Sequence, residues 1–117
     1  MKRVEATIET FRLAAVRARL EALGVGGLTL SEVTTFDLRP GGAASPGGAA
    51  SRCPEWLAQG IPQIQLSAVV PDLFAAEVLH AITAVARTDR GGDGSVVVAP
   101  VEEVVRVRTG ERGPAAM

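Results

Sequence analysis

A hexapeptide written twice in succession divides this sequence of 117 residues into two parts. Residues 40–51 read Pro-Gly-Gly-Ala-Ala-Ser twice, and they contain no aliphatic side chain larger than that of alanine. Such a segment cannot bury enough apolar surface to offset the conformational entropy that ordering it would cost. We therefore predict one long mobile loop over residues 38–59, so the folded core has to come from the two flanking parts.

Before the duplication, the spacing of apolar residues changes from that of a strand to that of a helix. Residues 3–9 alternate between apolar and polar side chains, which is typical of a half-buried strand. In residues 13–23 the apolar side chains recur at helical spacing, and Gly24 follows where a helix C-cap is expected. Residues 28–36 are rich in Thr, Val and Leu, and they predict a second strand.

The part after the duplication repeats this order. Residues 61–70 alternate and predict a third strand, and Asp72 then stands at the expected N-cap of a helix that runs to about Arg87. Two short strands are predicted over residues 96–99 and 104–108.

Two units of strand, helix and strand on one antiparallel sheet predict an α+β fold, the ferredoxin-like βαββαβ sandwich, as a single domain over residues 1–117. A chain of this length buries about 65% of the surface of its unfolded form, so it needs neither disulfides nor a metal to form a core. The two helices cover one face of the sheet, so a second protomer has to be considered for the other face, although the sequence does not determine the number of subunits.

Charge and composition exclude several classes of protein. The formal net charge of -1 removes the broad basic field that non-specific nucleic-acid binding requires. One cysteine, Cys53, cannot form an intramolecular disulfide, and one histidine, His80, cannot build a His-rich metal site. Neither a signal peptide nor a long apolar segment is recognisable, which predicts a cytoplasmic protein without membrane insertion.

Two stretches are candidates for anion binding. In residues 88–95 three glycines surround Asp93, and glycine accepts the positive φ values with which backbone N–H groups form a phosphate-binding nest. An ordinary turn into a strand is the alternative. A strand would place Arg106 and Arg108 on one face, about 7 Å apart, where they suit a polyphosphate or carboxylate ligand. As structural residues they would instead pair with neighbouring glutamates, namely Glu102, Glu103 or Glu111, and remain solvated.

Other candidate residues carry weaker signals. His80 lies off the apolar stripe of the second helix, which favours a surface position over a catalytic role. Cys53 follows Arg52 in the long loop, where redox sensing and an incidental exposed thiol are both open. Trp56 and Leu57 are an adjacent pair of large apolar residues in that loop, and they either anchor a partner or pack back on the sheet.

Together these residues resemble the PII signal-transduction family. The stretch 1–36, which contains KRVEA, LGVGGLT and SEV, is similar to the N-terminal half of PII proteins. Gly-Asp-Gly at 92–94 and RVRTGER at 106–112 are similar to the family's B-loop and C-terminal signature, of which the second is the specific motif. The resemblance covers nearly the whole chain outside residues 37–60.

This resemblance implies a homotrimer that binds adenine nucleotides (ADP, AMP or ATP) in three inter-subunit clefts, without a required metal. Segment 38–59 would be the family's T-loop, which contacts a regulated partner such as a transporter or an enzyme. The adenine would lie beside the start of the second strand, and the phosphates would meet backbone and guanidinium groups. The nucleotide-binding residues implied in this way are Gly27, Thr29, Thr88, Gly92, Asp93, Gly94, Arg106 and Arg108.

The chain departs from the family pattern around the T-loop. Arg39 stands where the family has a glutamine and Gln63 where it has a lysine, so both determinants of 2-oxoglutarate binding are missing. Leu38 and Ser95 stand at basic positions of the family and Asp37 at a glycine, which depletes cationic contacts to a terminal phosphate. Because losing cations costs most where ligand charge is densest, we predict that ADP or AMP is favoured over ATP.

The sequence contains no tyrosine, which excludes the tyrosine uridylylation used by many family members. It is similar to the divergent branch associated with carboxysomes and inorganic carbon, which implies a response to bicarbonate. A small anion would then bind at Arg39, Arg52 or Arg106, and a partner would contact Arg52, Trp56 and Leu57.

Three other functions stay open. One is a conventional nitrogen-regulatory PII protein that senses ATP, ADP and 2-oxoglutarate. Another is an acylphosphatase-like hydrolase, which the lack of a general base or nucleophile beside the arginines disfavours, so we predict that the chain is not an enzyme. The third is a purely structural or metal-tolerance trimer of similar topology, which the pair Arg106 and Arg108 disfavours.

Overall fold

Four β-strands and two α-helices make up the part of the chain that the computed structural model describes, which is residues 1–36, 38, 60–88 and 94–117. Short 3-10 helices cover Thr10–Arg12 and Gly113–Ala116. In chain order the main elements are β1 (Lys2–Ile8), α1 (Leu13–Leu23), β2 (Thr29–Thr35), β3 (Ile61–Val70), α2 (Asp72–Ala86) and β4 (Ser95–Pro100).

The four strands form one antiparallel sheet in the order β2-β3-β1-β4. The central strand β1 pairs on both sides, so that Val4 lies between Ala68 of β3 and Val98 of β4. With the two helices, this order confirms the predicted ferredoxin-like βαββαβ fold. None of the helices in the described ranges is both long and apolar enough to span a membrane.

The core lies between the two helices and one face of the sheet. Alternation along β1 and β3 turns every second side chain towards the helices, and α1 and α2 contribute their apolar stripes. Burial of one such side chain contributes about 1.5–3 kcal/mol to the free energy of unfolding. The least exposed large side chains of this core are Ile8, Leu66, Ile82, Val4, Val16 and Val78.

Local residues explain where α1 ends and where α2 begins. Gly24 ends α1 with a φ of 88°, and its N–H donates to the carbonyl oxygen of Glu21 at 3.0 Å, which confirms the predicted C-cap. The predicted N-cap of α2 is wrong by one position, because Pro71 takes the extended conformation and Asp72 is the first helical residue. The Asp72 carboxylate instead accepts a hydrogen bond of 2.6 Å from the α-ammonium group of Met1, which lowers the pKa of Asp72.

The strand predicted over residues 104–108 is wrong. Residues 107–109 form a turn, and the N–H of Arg106 donates to the carbonyl oxygen of Glu111 at 2.8 Å. Around this reversal, a single bridge links Val105 to Arg112. The alternation in this segment is real, but the chain folds back on itself here and pairs with no strand of the sheet, so the expected placing of both arginines on one strand face is also wrong.

Candidate functional site

A glycine turn brings the chain into β4 directly over the end of β1. Gly94 has a φ of 91°, and a Cβ atom there would overlap the carbonyl oxygen of Thr7, so backbone passes against backbone. A cavity of about 250 Å³ lies beside this turn, between β1, β4 and the end of α2, with Ser95 and Thr83 among its lining residues. This close approach fixes where the predicted phosphate-binding segment ends on the fold, beside Thr7 of β1.

The middle of that segment lies outside the described residues. Thr88 is half-buried just beyond α2, and Gly94 precedes β4, whereas Gly92 and Asp93 are not among the residues described. The same holds for all of the predicted T-loop (38–59) except Leu38, including the remaining candidate residues Arg39, Arg52, Cys53, Trp56 and Leu57. Their roles stay predictions.

Arg106 sits at the base of the C-terminal turn with its guanidinium group partly paired. Its Nη1 atom lies 3.8 Å from Oε1 of Glu111, and its Nη2 atom donates to the main-chain oxygen of Met117 at 3.2 Å. The side chain is 40% exposed. The arginine therefore keeps an accessible face while a carboxylate of its own chain lies next to it.

The other two arginines of this segment differ in their surroundings. Arg112 is tied down, because its Nη1 atom donates to Oε1 of Glu103 at 2.6 Å. Arg108 is exposed in the turn, and its side chain makes no hydrogen bond or ion pair with the residues that the structure describes. Structural pairing with glutamates, one of the two predicted alternatives, is thus observed for Arg106 and not for Arg108.

Gly27 precedes β2 and Thr29 begins it, at the opposite edge of the sheet from the glycine turn. Gly27 lines a cleft of about 330 Å³ between the end of α1 and β2, which is bordered by Leu28 and by Arg17. Thr29 is exposed and pairs with Ser67 of β3. The apolar floor and the exposed backbone of this cleft suit a flat heteroaromatic ring better than a charged group.

One protomer does not bring these candidate residues together. Thr29 belongs to β2 and Gly94 adjoins β4, which are the two outer strands of the sheet. Three strand spacings, about 14 Å, separate them across the sheet, and the register displaces them by a further three residues along the strands. The C-terminal segment with Arg106 leaves the sheet after Pro100, at the end of β4 opposite to Gly94.

The structure selects one of the predicted glutamate partners and adds residues that the sequence did not single out for the site. Of Glu102, Glu103 and Glu111, it is Glu111 whose carboxylate faces Arg106. Thr7 forms the wall under the glycine turn. The alternation of residues 61–70 puts Gln63 on the polar side of β3, yet this residue is only 3% exposed, so a neutral amide is buried where the resemblance implies a lysine.

The described residues also bear on the expectations for a metal site and for His80. No three His, Cys, Asp or Glu side chains among these residues come together as a possible metal site. His80 is exposed on α2, which confirms the prediction of a helix-surface position.

Comparison with known proteins defines the class. Residues 1–111 match the family model described as "Nitrogen regulatory protein P-II". The fold and this match together define a small ferredoxin-like regulatory protein. The chain belongs to the PII family of signal-transduction proteins, which confirms the resemblance read from the sequence.

Similar proteins match over almost their whole length. A nitrogen regulatory protein P-II of Cereibacter sphaeroides is 36% identical over 117 residues, which is 100% of both chains. The protein of the same name from Azospirillum brasilense is 37% identical over 113 residues, which is 97% of this chain and 96% of that one. That of Haemophilus influenzae is 36% identical over 117 residues, again 100% of both chains.

Proposed function

We propose that this chain is an adenylate sensor: a homotrimer that binds ADP or AMP in preference to ATP between its protomers and controls a partner protein through segment 38–59. The observation that carries the proposal is the separation of Thr29 and Gly94 on opposite edge strands. Two protomers side by side bring the edge strand β2 of one against the edge strand β4 of the other. A cleft between protomers then contains both halves of the site.

The two halves supply complementary interactions. The start of β2 offers apolar surface and exposed backbone at Gly27 and Thr29 for the adenine ring. The glycine segment 88–95 offers backbone N–H groups, which bind phosphate oxygens without a bulky side chain in the way. Arg106 and Arg108 offer guanidinium groups that pair with phosphates through two parallel hydrogen bonds.

The proposed preference for ADP or AMP over ATP follows from the basic side chains that the site lacks. Ser95 is exposed at the start of β4 and Leu38 is exposed after β2, and neither side chain carries a charge. A terminal phosphate therefore loses partners that the family pattern supplies, while a ligand with one or two phosphates needs fewer of them. We expect the affinity to fall from ADP to ATP.

The second signal in this proposal is bicarbonate, bound as a small anion at Arg39, Arg52 or Arg106. The buried neutral amide of Gln63 argues against 2-oxoglutarate as the signal, because this dicarboxylate has no lysine to pair with at this position. The second candidate function is conventional nitrogen regulation with 2-oxoglutarate as the signal, which the names of the relatives favour. In both cases the regulated partner is a transporter or an enzyme.

Calorimetric titration of the purified protein with AMP, ADP and ATP, with and without Mg²⁺, tests the proposal. Each titration is repeated with bicarbonate and with 2-oxoglutarate, and sedimentation equilibrium measures the number of protomers. Binding of ADP or AMP that bicarbonate strengthens supports the proposal. Tight binding of Mg-ATP that depends on 2-oxoglutarate selects the nitrogen-regulatory alternative, and the absence of binding to any nucleotide rejects both.

A further inference from the structure

The carboxylate of Glu111 is held in place beside Arg106 by the same turn that presents the arginine. The Thr109 hydroxyl donates to Oε1 of Glu111 at 2.9 Å, and the N–H of Glu111 donates back to that hydroxyl oxygen at 3.4 Å. The backbone of Glu111 accepts from the N–H of Arg106 at 2.8 Å. The negative charge therefore has a defined position relative to the guanidinium group.

Arg106 and Glu111 are close enough to attract each other electrostatically, but they are too far apart to form a hydrogen bond. The 3.8 Å between Nη1 of Arg106 and Oε1 of Glu111 exceeds the length of a charge-assisted hydrogen bond. The arginine is 40% exposed, so its N–H groups remain available to a second anion. Any anion that reaches Arg106 also approaches the Glu111 carboxylate.

We propose that Glu111 is a specificity-determining residue that competes with the ligand for Arg106 and penalises ligands according to their negative charge. This inference rests on the proposed nucleotide function and deepens it. The attraction to Arg106 and the repulsion from Glu111 both grow with ligand charge, so Glu111 cancels part of the advantage that a more highly charged nucleotide would otherwise have. The Glu111 carboxylate thus lowers the affinity for ATP in addition to the missing cations.

The test uses a substitution that removes the charge and keeps the shape. Glu111→Gln retains an oxygen that accepts the hydrogen bond from Thr109. Glu103→Gln is the matched control, because it removes the same charge from the same segment but from a carboxylate that bonds Arg112 at 2.6 Å. Both variants and the wild type are titrated with AMP, ADP and metal-free ATP at low and at high salt, and circular dichroism checks that each one folds.

We expect Glu111→Gln to tighten ATP binding about fivefold at low salt and AMP binding by about twofold or less, with both gains shrinking as salt rises. Glu103→Gln should change all three affinities equally and by less. Unchanged or weaker binding in Glu111→Gln, or an equal gain for AMP and ATP, would overturn the inference while leaving nucleotide binding intact. A wild type that binds no nucleotide instead rejects the proposed function itself.

Discussion

The carbonyl oxygen of Thr7 occupies the space that a side chain at position 94 would need, so the turn before β4 accepts only glycine. Gly94→Ala combines a φ of 91° with a clash against backbone, and the sheet has to shift to relieve it. We expect the free energy of unfolding to fall by about 3 kcal/mol, measured by urea denaturation.

Gly110→Ala is the control for that substitution. Gly110 also has a positive φ, of 75°, but nothing lies within 4 Å of the Cβ position. We expect a loss of only about 1 kcal/mol, from the conformational penalty alone. Equal losses in the two variants would contradict the role assigned to the crossing over Thr7.

Ile82 of α2 is 1% exposed in the core, and its truncation to alanine leaves a cavity. We expect Ile82→Ala to cost about 3 kcal/mol of stability in thermal or urea unfolding. Leu73, in the first turn of the same helix, is 99% exposed, so Leu73→Ala should stay within about 0.5 kcal/mol of the wild type. A large effect at Leu73 would mean that another protomer covers this turn.

Arg106 and Arg112 test which arginines of the C-terminal segment bind the ligand. Arg106→Ala should weaken ADP binding at least about tenfold, because a charge-assisted contact to phosphate is lost. Arg112→Ala removes an arginine already bonded to Glu103 at 2.6 Å, so its effect on ADP should be less than about threefold. Calorimetry measures both, and a larger loss in the Arg112 variant would contradict the proposed site.

Ser95 offers a direct test of nucleotide preference. Ser95→Lys adds a cation where the resemblance implies a lysine, at an exposed position that tolerates the long side chain. We expect ATP affinity to rise about tenfold while AMP affinity changes little. Ala76→Lys, which adds the same charge at an exposed position of α2, controls for net charge. The same gain in both variants would assign the effect to the overall field instead.

Asp72 predicts a pH dependence. The Met1 ammonium group lowers the pKa of Asp72 below 3.8, so the unfolded state binds protons more readily than the folded one. The stabilisation is therefore present above pH 3.8 and is lost as the pH falls through the folded-state pKa. Asp72→Asn should destabilise the protein at pH 6 in urea titrations, and the difference from wild type should vanish at the lowest pH at which the protein folds. A constant difference would contradict this.

Local patterns in the sequence determined most of the fold. The alternation in β1 and β3, the helical spacing in α1 and α2, and Gly24 as a C-cap each depend on neighbours within a few residues. The order of these elements was enough to predict the ferredoxin-like topology. The motif RVRTGER likewise carried the family, which the match over residues 1–111 confirms.

Tertiary structure alone decided the features that depend on distant partners. A strand over 104–108 needed an edge to pair with, and the reversal at Arg106 joins this segment to its own chain instead. Gln63 is buried because of what packs around it, which alternation along one strand does not report. The distance between Thr29 and Gly94 follows from strand order, a property of the whole sheet, and that separation is what points to a site shared between protomers.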